Sequence, residues 1–346
     1  MLEASIAKLS PAGNTPATID FSSLEAIDTA GALLVRRLHR RLEQSGGATS
    51  IIGLSDSHAA LIERVALASD TEPLPSESHH PLIAMVERTG RAACAAWEEA
   101  TDLLYFLGVT SVTAVRSIIH PGSIRFISVI SHIERVGLNA MPIVGLLSFL
   151  IGIVVAYQGA DQLRQFGAEI FTVDLLGVSI FREMGILLAA IVIAGRSGSA
   201  FAAQIGTMQV NQEVDAMRTL GLDPVEILVL PRLMALVISM PLIAVFADIM
   251  GLIGGGMMVI LTLDVSFYQF LERLQNAVSV GTFWAGIIKA PVFGFLIALT
   301  GCREGLKVTG SAESVGLHTT RAVVISIFLV ILADALFSIL FSAFGI

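Results

Sequence analysis

Four ionisable residues stand inside stretches that are otherwise apolar. Arg182 and Glu183 fall in 173–194, Lys289 in 281–300 and Asp334 in 322–344. A charge in hydrocarbon costs several kcal/mol unless it faces a protein interior and finds a partner. Arg182 and Glu183 lie about ten residues into their stretch, Lys289 about eight and Asp334 about thirteen, so at 1.5 Å per residue all sit near mid-depth. Their formal charges sum to zero. Two chemistries suit such a set. One is a structural polar cluster that fixes helix registry, and the other is a water-accessible cavity that handles an amphipathic or charged molecule. Nothing in this set reads as a catalytic centre. Cys94 and Cys302 stand alone and far apart, which suggests neither a disulfide framework nor a metal site.

The elements that must hold these residues are membrane spans. Of 346 residues, 54% are hydrophobic and 14% charged, and the mean hydropathy is +0.79, well outside the range of ordinary soluble domains. A net charge of -8 argues against a nucleic-acid partner, which calls for a basic face. Residues 141–160 carry no charge and are long enough for about 30 Å of hydrocarbon. The stretches 173–194, 225–263, 281–300 and 322–344 follow. The long stretch 225–263 reads as one crossing, tilted or broken near Pro241 and the Gly254–Gly256 triplet, because two basic loops must lie on one side. Arg196, Arg218 and Arg232 flank the first loop, and Arg303, Lys307 and Arg321 flank the second. Five spans result, with the N-terminus inside. The start lacks a basic segment followed by an apolar run, so no signal peptide is expected. Between 82 and 137 the chain is amphipathic but too charged to span, which suggests interfacial helices.

Residues 1–68 have a different composition. A short strand at 17–24, a helix at 29–43 with Leu34, Leu38 and Leu42 on one side, a strand at 48–54 and a helix at 58–68 read as a small α/β unit. A polar, proline-bearing linker, 69–81, follows. The predicted fold is therefore a mainly α membrane protein with about five transmembrane helices, interfacial helices and a small N-terminal α/β domain. The first unit resembles a STAS domain through "IDFSSLEAIDTAGALLVRRL" (19–38), whose core reads Asp28-Thr29-Ala30-Gly31. The resemblance implies a cytoplasmic regulator, with Thr29 where that family carries its phosphorylatable serine. The same residues also suit plain helix capping.

After the second span the chain turns to small residues. Gly195, Ser197, Gly198, Ala202 and Gly206 there, with Gly251 and Gly255 farther on, would let helix backbones approach closely in a membrane. "GRSGSA" lacks the Gly-Lys-Ser/Thr of a phosphate loop, and no Walker A sequence occurs in the chain. Any ATP-driven activity would need an ATPase on another polypeptide.

The run "REMG…AGRSGSAFAAQIGTMQVNQEVDAMRTLGLDP" (182–224), with "YQG" (157–159) and "GLHTTRAVV" (316–324), resembles the MlaE/YrbE permeases over 82–346. That resemblance implies a non-enzymatic permease subunit of an ABC transporter that moves phospholipid or a related lipid between bacterial envelope membranes. It implies an inner-membrane location, a homodimer, an ABC ATPase that binds the ATP and Mg, and a periplasmic MCE-domain lipid-binding protein; no cofactor is expected in this chain. It also makes 211–224 the segment that docks on the ATPase, with Glu213, Asp215 and Arg218 polar and Val214, Met217 and Leu220 free to enter a groove. Gln204 departs from the glutamate usual in that family. A STAS-containing secondary anion transporter or a regulatory membrane anchor are the alternatives. The former carries its STAS domain after the membrane part and has about twice as many spans, features this sequence does not share.

Overall fold

In the computed structural model, residues 17–22, 24, 26–44, 49–69, 81–119 and 125–344 are described. The expected linker lies outside them except at its two ends, and so do residues 121–124 of the second interfacial piece. The chain divides into two compact units, 1–91 and 92–346.

In the first unit, β1 (Ala17–Asp20) pairs in parallel with β2 (Thr49–Ile52), Ala17 opposite Thr49 and Asp20 opposite Ile52. Parallel neighbours need a crossover, and α1 (Thr29–Gln44) supplies it. Its Leu34, Leu38 and Leu42 are half-buried, and α2 (Asp56–Ser69) packs against it. Of the two residues suited to capping α1, Asp28 does it: its Oδ1 accepts from the Gly31 amide at 2.7 Å. Thr29 is the first helical residue and stays exposed.

The second unit is helical. Helix α3 (Pro81–Ile119) enters it, followed by α4 (Phe126–Arg164), α5 (Glu169–Val210), α6 (Glu213–Thr219), α7 (Val225–Leu263), α8 (Phe267–Ala277), α9 (Val280–Leu306) and α10 (Ala312–Ala343). Helices α4, α5, α7, α9 and α10 are long and apolar enough to cross a membrane. The predicted span 225–263 coincides with α7, 322–344 overruns α10 by one residue, and the other three lie inside longer helices.

The second interfacial piece, 121–137, proves not to be a separate helix. Phe126–Val136 continues through one 3-10 turn, Leu138–Ala140, into Met141–Arg164. Gly137 keeps right-handed helical angles, and its amide donates to the Ile133 carbonyl at 2.7 Å. The backbone path therefore stays helical although the side chains turn polar. Nor is α7 broken: from Leu230 to Leu263 it is one helix with Pro241 inside. At 1.5 Å per residue that is about 50 Å, more than the hydrocarbon needs, so tilt or protrusion takes up the excess.

Small residues set the spacing between α4 and α7. A Cβ on Gly152 would lie 2.0 Å from the Gly251 carbonyl oxygen, and one on Gly254 would lie 2.0 Å from that of Phe149. Gly251 and Gly255 also receive the side chains of Ile180 and Leu176 from α5. Gly198 and Gly206 do the same for Ile297 and Val308 on the α9 side. Gly195 does not join this packing, since a Cβ there would meet nothing within 4 Å. It was expected to pack because it shares the small-residue run, but it stands on an exposed part of α5. Around these contacts Ile186, Ile193, Leu236, Met240, Phe293 and Ile297 form the buried core.

Close backbone approach makes a specific prediction. In detergent, Gly254→Ala should lower the unfolding midpoint of the full chain by roughly 2–12 °C, the shift expected for about 1–3 kcal/mol of overpacking. Gly195→Ala should leave the midpoint within error of wild type. Equal shifts in a thermal unfolding scan would contradict the packing described.

Candidate functional site

Lys289, Glu183 and Asp334 come from α9, α5 and α10 and meet at one point. Lys289 Nζ donates to Glu183 Oε2 at 2.8 Å, to Asp334 Oδ1 at 2.9 Å and to the Arg182 carbonyl oxygen at 3.2 Å. An ammonium has three N–H donors, so this one is fully used. Its side chain has 0% exposure. Ser338 Oγ donates to Glu183 Oε1 at 2.6 Å, and Arg182 Nε stands 3.7 Å from the same oxygen. The cluster is closed around Lys289 and more open at Arg182 and Glu183, whose side chains are 27% and 33% exposed.

Two local features build it. Ile180–Met184 forms a widened π turn within α5. Such a turn holds an extra residue and re-aims the side chains that follow the preceding face, and it carries both Arg182 and Glu183. Gly286 lies one helical turn before Lys289, where a Cβ would stand 2.1 Å from the Phe181 carbonyl oxygen. The missing side chain lets α9 come near enough for Lys289 to reach the Arg182 carbonyl. Arg196 sits on a second widened turn, Ala194–Gly198. It donates to the Asn139 carbonyl and so ties α5 to the 3-10 turn of α4.

Three charged groups escaped the sequence reading. Asp248 of α7 is buried opposite Gly185, and among the described residues its Oδ1 has no hydrogen-bond partner. The signal was present, since Asp248 is the one acid in the middle of 225–263. Arg232 is also buried; it was counted only as a loop flank. The third is a network at the C-terminal end of α9. Arg303 pairs with Glu304 at 3.0 Å, Asp102 at 3.4 Å and Glu99, while Lys307 pairs with Asp102 at 2.7 Å. His318 of α10 adds a contact to Glu304 at 2.8 Å. The charges that excluded α3 as a span therefore fasten it to α9. Lys307, through a hydrogen bond and its charge, holds the Asp102 carboxyl below the ordinary carboxylate range. Burial pushes Glu99 up, but hydrogen bonds and charge from Arg303 and Lys307 outweigh it and leave Glu99 low as well.

At the other end of the bundle, Arg273 of α8 grips Asp174 of α5 with two hydrogen bonds, 2.7 and 2.6 Å, and lies over the Phe171 ring.

The segment 211–224 holds the short helix α6. Gln212 with φ 61° and Gly221 with φ 74° make the turns on either side of it. Glu213, Asp215, Arg218 and Leu220 face outward, with Arg218 3.2 Å from Asp215. Val214 is fully buried and Met217 is partly buried on the chain's own core. Val214 is therefore unavailable to a partner and Met217 only half available, which corrects the expectation that both are free. Their spacing marked an apolar face correctly, but that face anchors α6 to its own bundle.

Five helices apolar enough to span a membrane, three of them joined at their centre by paired charges, define a polytopic membrane protein. The Permease MlaE family profile matches residues 129–340. The chain is 35% identical over 231 residues to a "Probable ABC transporter permease protein" of Rickettsia felis, covering 67% of this chain and 89% of that one. A permease of the same description from Synechocystis is 33% identical over 255 residues, covering 72% and 94%. The "Intermembrane phospholipid transport system permease protein MlaE" of Haemophilus influenzae is 29% identical over 234 residues, covering 66% and 88%. The chain belongs to the MlaE permease family, and it is a multi-pass membrane permease of the ABC-transporter type.

Two predictions follow from the charges. Lys289→Ala leaves carboxylates uncompensated in the bundle, a change that costs about 3–5 kcal/mol in buried pairs, so folded yield should fall sharply. Lys289→Ala with Asp334→Ala should be milder than the worse single change, and additive losses would show that the two do not act as partners. For α3, the depressed Glu99 and Asp102 carboxyls supply attachment that is present above the ordinary carboxylate range and lost as pH falls through their lowered values. A nitroxide on exposed Cys94 should gain mobility only below about pH 4, whereas Glu99→Gln with Asp102→Asn should show that mobility at pH 7. Equal mobility in both proteins at pH 7 would contradict the tether.

Proposed function

We propose that the chain moves phospholipid or a related lipid across or between bacterial envelope membranes, powered by ATP hydrolysis in a separate ATPase subunit. The observation that carries this reading is the Lys289 cluster, closed on the ammonium and open at Arg182 and Glu183. That open edge offers a headgroup passing through the bundle both a cation and an anion. The printed name of the Haemophilus influenzae relative supports phospholipid as the substrate class.

On this reading the functional unit is a pair of permeases in the inner membrane, N-termini in the cytoplasm, with a periplasmic MCE-domain protein that exchanges lipid with them. ATP and Mg belong to the ATPase. Glu213, Asp215, Arg218 and Leu220 form the docking surface, an outward-facing mix of charge and one apolar side chain. Residues 1–68 act as a STAS-like cytoplasmic regulator, with Thr29 exposed at the start of α1 as its modification site. A phosphate there would add about -1.5 to -2 charge at a helix start.

Reconstitution with the ATPase subunit in vesicles tests the proposal. Phospholipid should stimulate hydrolysis, and the assembled system should transfer labelled lipid. Glu213→Ala with Asp215→Ala should weaken co-purification of the ATPase or uncouple hydrolysis from transfer. If the double mutant assembles and transports like wild type, the docking role fails. If lipid neither stimulates hydrolysis nor moves, the transport reading fails.

A further inference from the structure

A second charged site lies away from the Lys289 cluster, in a cavity of about 790 Å³ between α4, α5 and α7. Arg125, Arg135 and Arg232 line it with His132, Ser131 and Gln204, and no acidic side chain does so among the described residues. Arg232 is the deepest of these cations, 7% exposed. It donates to the Leu228 carbonyl at 2.7 Å and to Gln204 Oε1 at 3.2 Å, both neutral acceptors. Among the described residues its Nε has no hydrogen-bond partner. The guanidinium lies over the Phe201 ring, 5.7 Å from its centre, and the His132 ring makes a T-shaped contact with the same ring at 5.9 Å.

A guanidinium stays charged at any physiological pH. Buried without a counter-charge it is costly, and two neutral acceptors relieve that only in part. An anion entering the cavity would approach the Arg232 guanidinium, which has only neutral acceptors, while Arg125 and Arg135 on the exposed rim add attraction from the mouth. The forked donors of arginine suit a phosphate better than a point charge would.

We propose that this cavity binds a phosphate group, carried either by a lipid headgroup or by a soluble phosphate. Its volume is far larger than a phosphate needs and has room for the glycerol and headgroup alcohol of a lipid. The lipid source rests on the reading of the chain as a lipid permease; the cavity and its unpaired guanidinium do not.

The test uses the full chain in neutral detergent and three probes: dihexanoyl phosphatidylglycerol, dihexanoylglycerol without phosphate, and inorganic phosphate. Binding is read as a saturable rise in unfolding midpoint. Phosphatidylglycerol should bind, and dihexanoylglycerol should not. Inorganic phosphate that binds far more weakly than the lipid assigns the site to headgroups; inorganic phosphate that binds equally well assigns it to a soluble ligand. Gln204→Glu places a carboxylate against Arg232, where the ligand would sit, and should weaken phosphatidylglycerol about tenfold or more. Arg125→Gln with Arg135→Gln changes only exposed side chains and should also weaken it. The proposal is overturned if dihexanoylglycerol binds as well as phosphatidylglycerol, or if Gln204→Glu binds the lipid as wild type does. Lipid-stimulated hydrolysis in the reconstituted transporter is read separately. Its absence, with binding and its Gln204→Glu loss intact, would sink the permease reading and leave the site standing.

Discussion

A lysine ammonium inside a membrane bundle must find acceptors for all three of its protons, because hydrocarbon offers none. Lys289 finds them on the backbone of Arg182 and on the carboxylates of Glu183 and Asp334. Much of the bundle follows from that requirement. Helix α9 must touch α5, which Gly286 permits. Helix α5 must turn its two charges toward α9, which the widened turn at Ile180–Met184 does. Helix α10, whose most apolar stretch is only 11% buried, is held at this depth through Asp334 and through Ser338. The least enclosed span is thus registered by polar bonds as much as by packing.

Charge is handled differently along the length of the bundle. Among the described residues at the centre, Lys289, Glu183, Asp334 and Arg182 have close partners, whereas Asp248 Oδ1 lies against Gly185 without a hydrogen bond. Toward the end that carries α6, cations outnumber anions around the Arg232 cavity, while the neighbouring Arg303 network is balanced by Glu99, Asp102 and Glu304. At the opposite end a single forked pair, Arg273 with Asp174, fastens α8. Pairing is complete around the fully enclosed Lys289, but among the described residues the buried Asp248 and Arg232 have no counter-charge of that kind.

The number of spans, the mid-depth of the four charges and their mutual neutrality were legible in the sequence, because length, hydropathy and the cost of a buried ion are local quantities. The single crossing of 225–263 followed from the two basic loops. What stayed hidden depends on backbone detail or on partners distant in sequence. The widened turns at Ile180–Met184 and Ala194–Gly198 have no composition signature, and α4 runs on through Gly137 because of its dihedral angles, not its polarity. Gly195 and Gly198 look alike as letters, yet only Gly198 meets another helix. Val214 and Met217 showed an apolar face, but nothing local revealed which surface that face covers. Arg232 was visible as a loop flank, and its burial emerges only once Phe201 and Gln204 are brought beside it.

The account stands on one contact, so its most direct test is a distance. The chain has three lysines, Lys8, Lys289 and Lys307, which makes selective ¹⁵N labelling of the ammonium groups practical in lipid bilayers. Lys307 also stands between a glutamate and an aspartate, 3.5 Å from Glu99 and 2.7 Å from Asp102, so the labelled protein carries Lys307→Arg. With ¹³C in the carboxyl carbons of Glu and Asp, solid-state NMR should then show the Lys289 nitrogen coupled to both a glutamate and an aspartate carboxylate. That glutamate coupling should vanish in Glu183→Gln and that aspartate coupling in Asp334→Asn. A Lys289 nitrogen coupled to neither carboxylate in the folded protein would contradict the account.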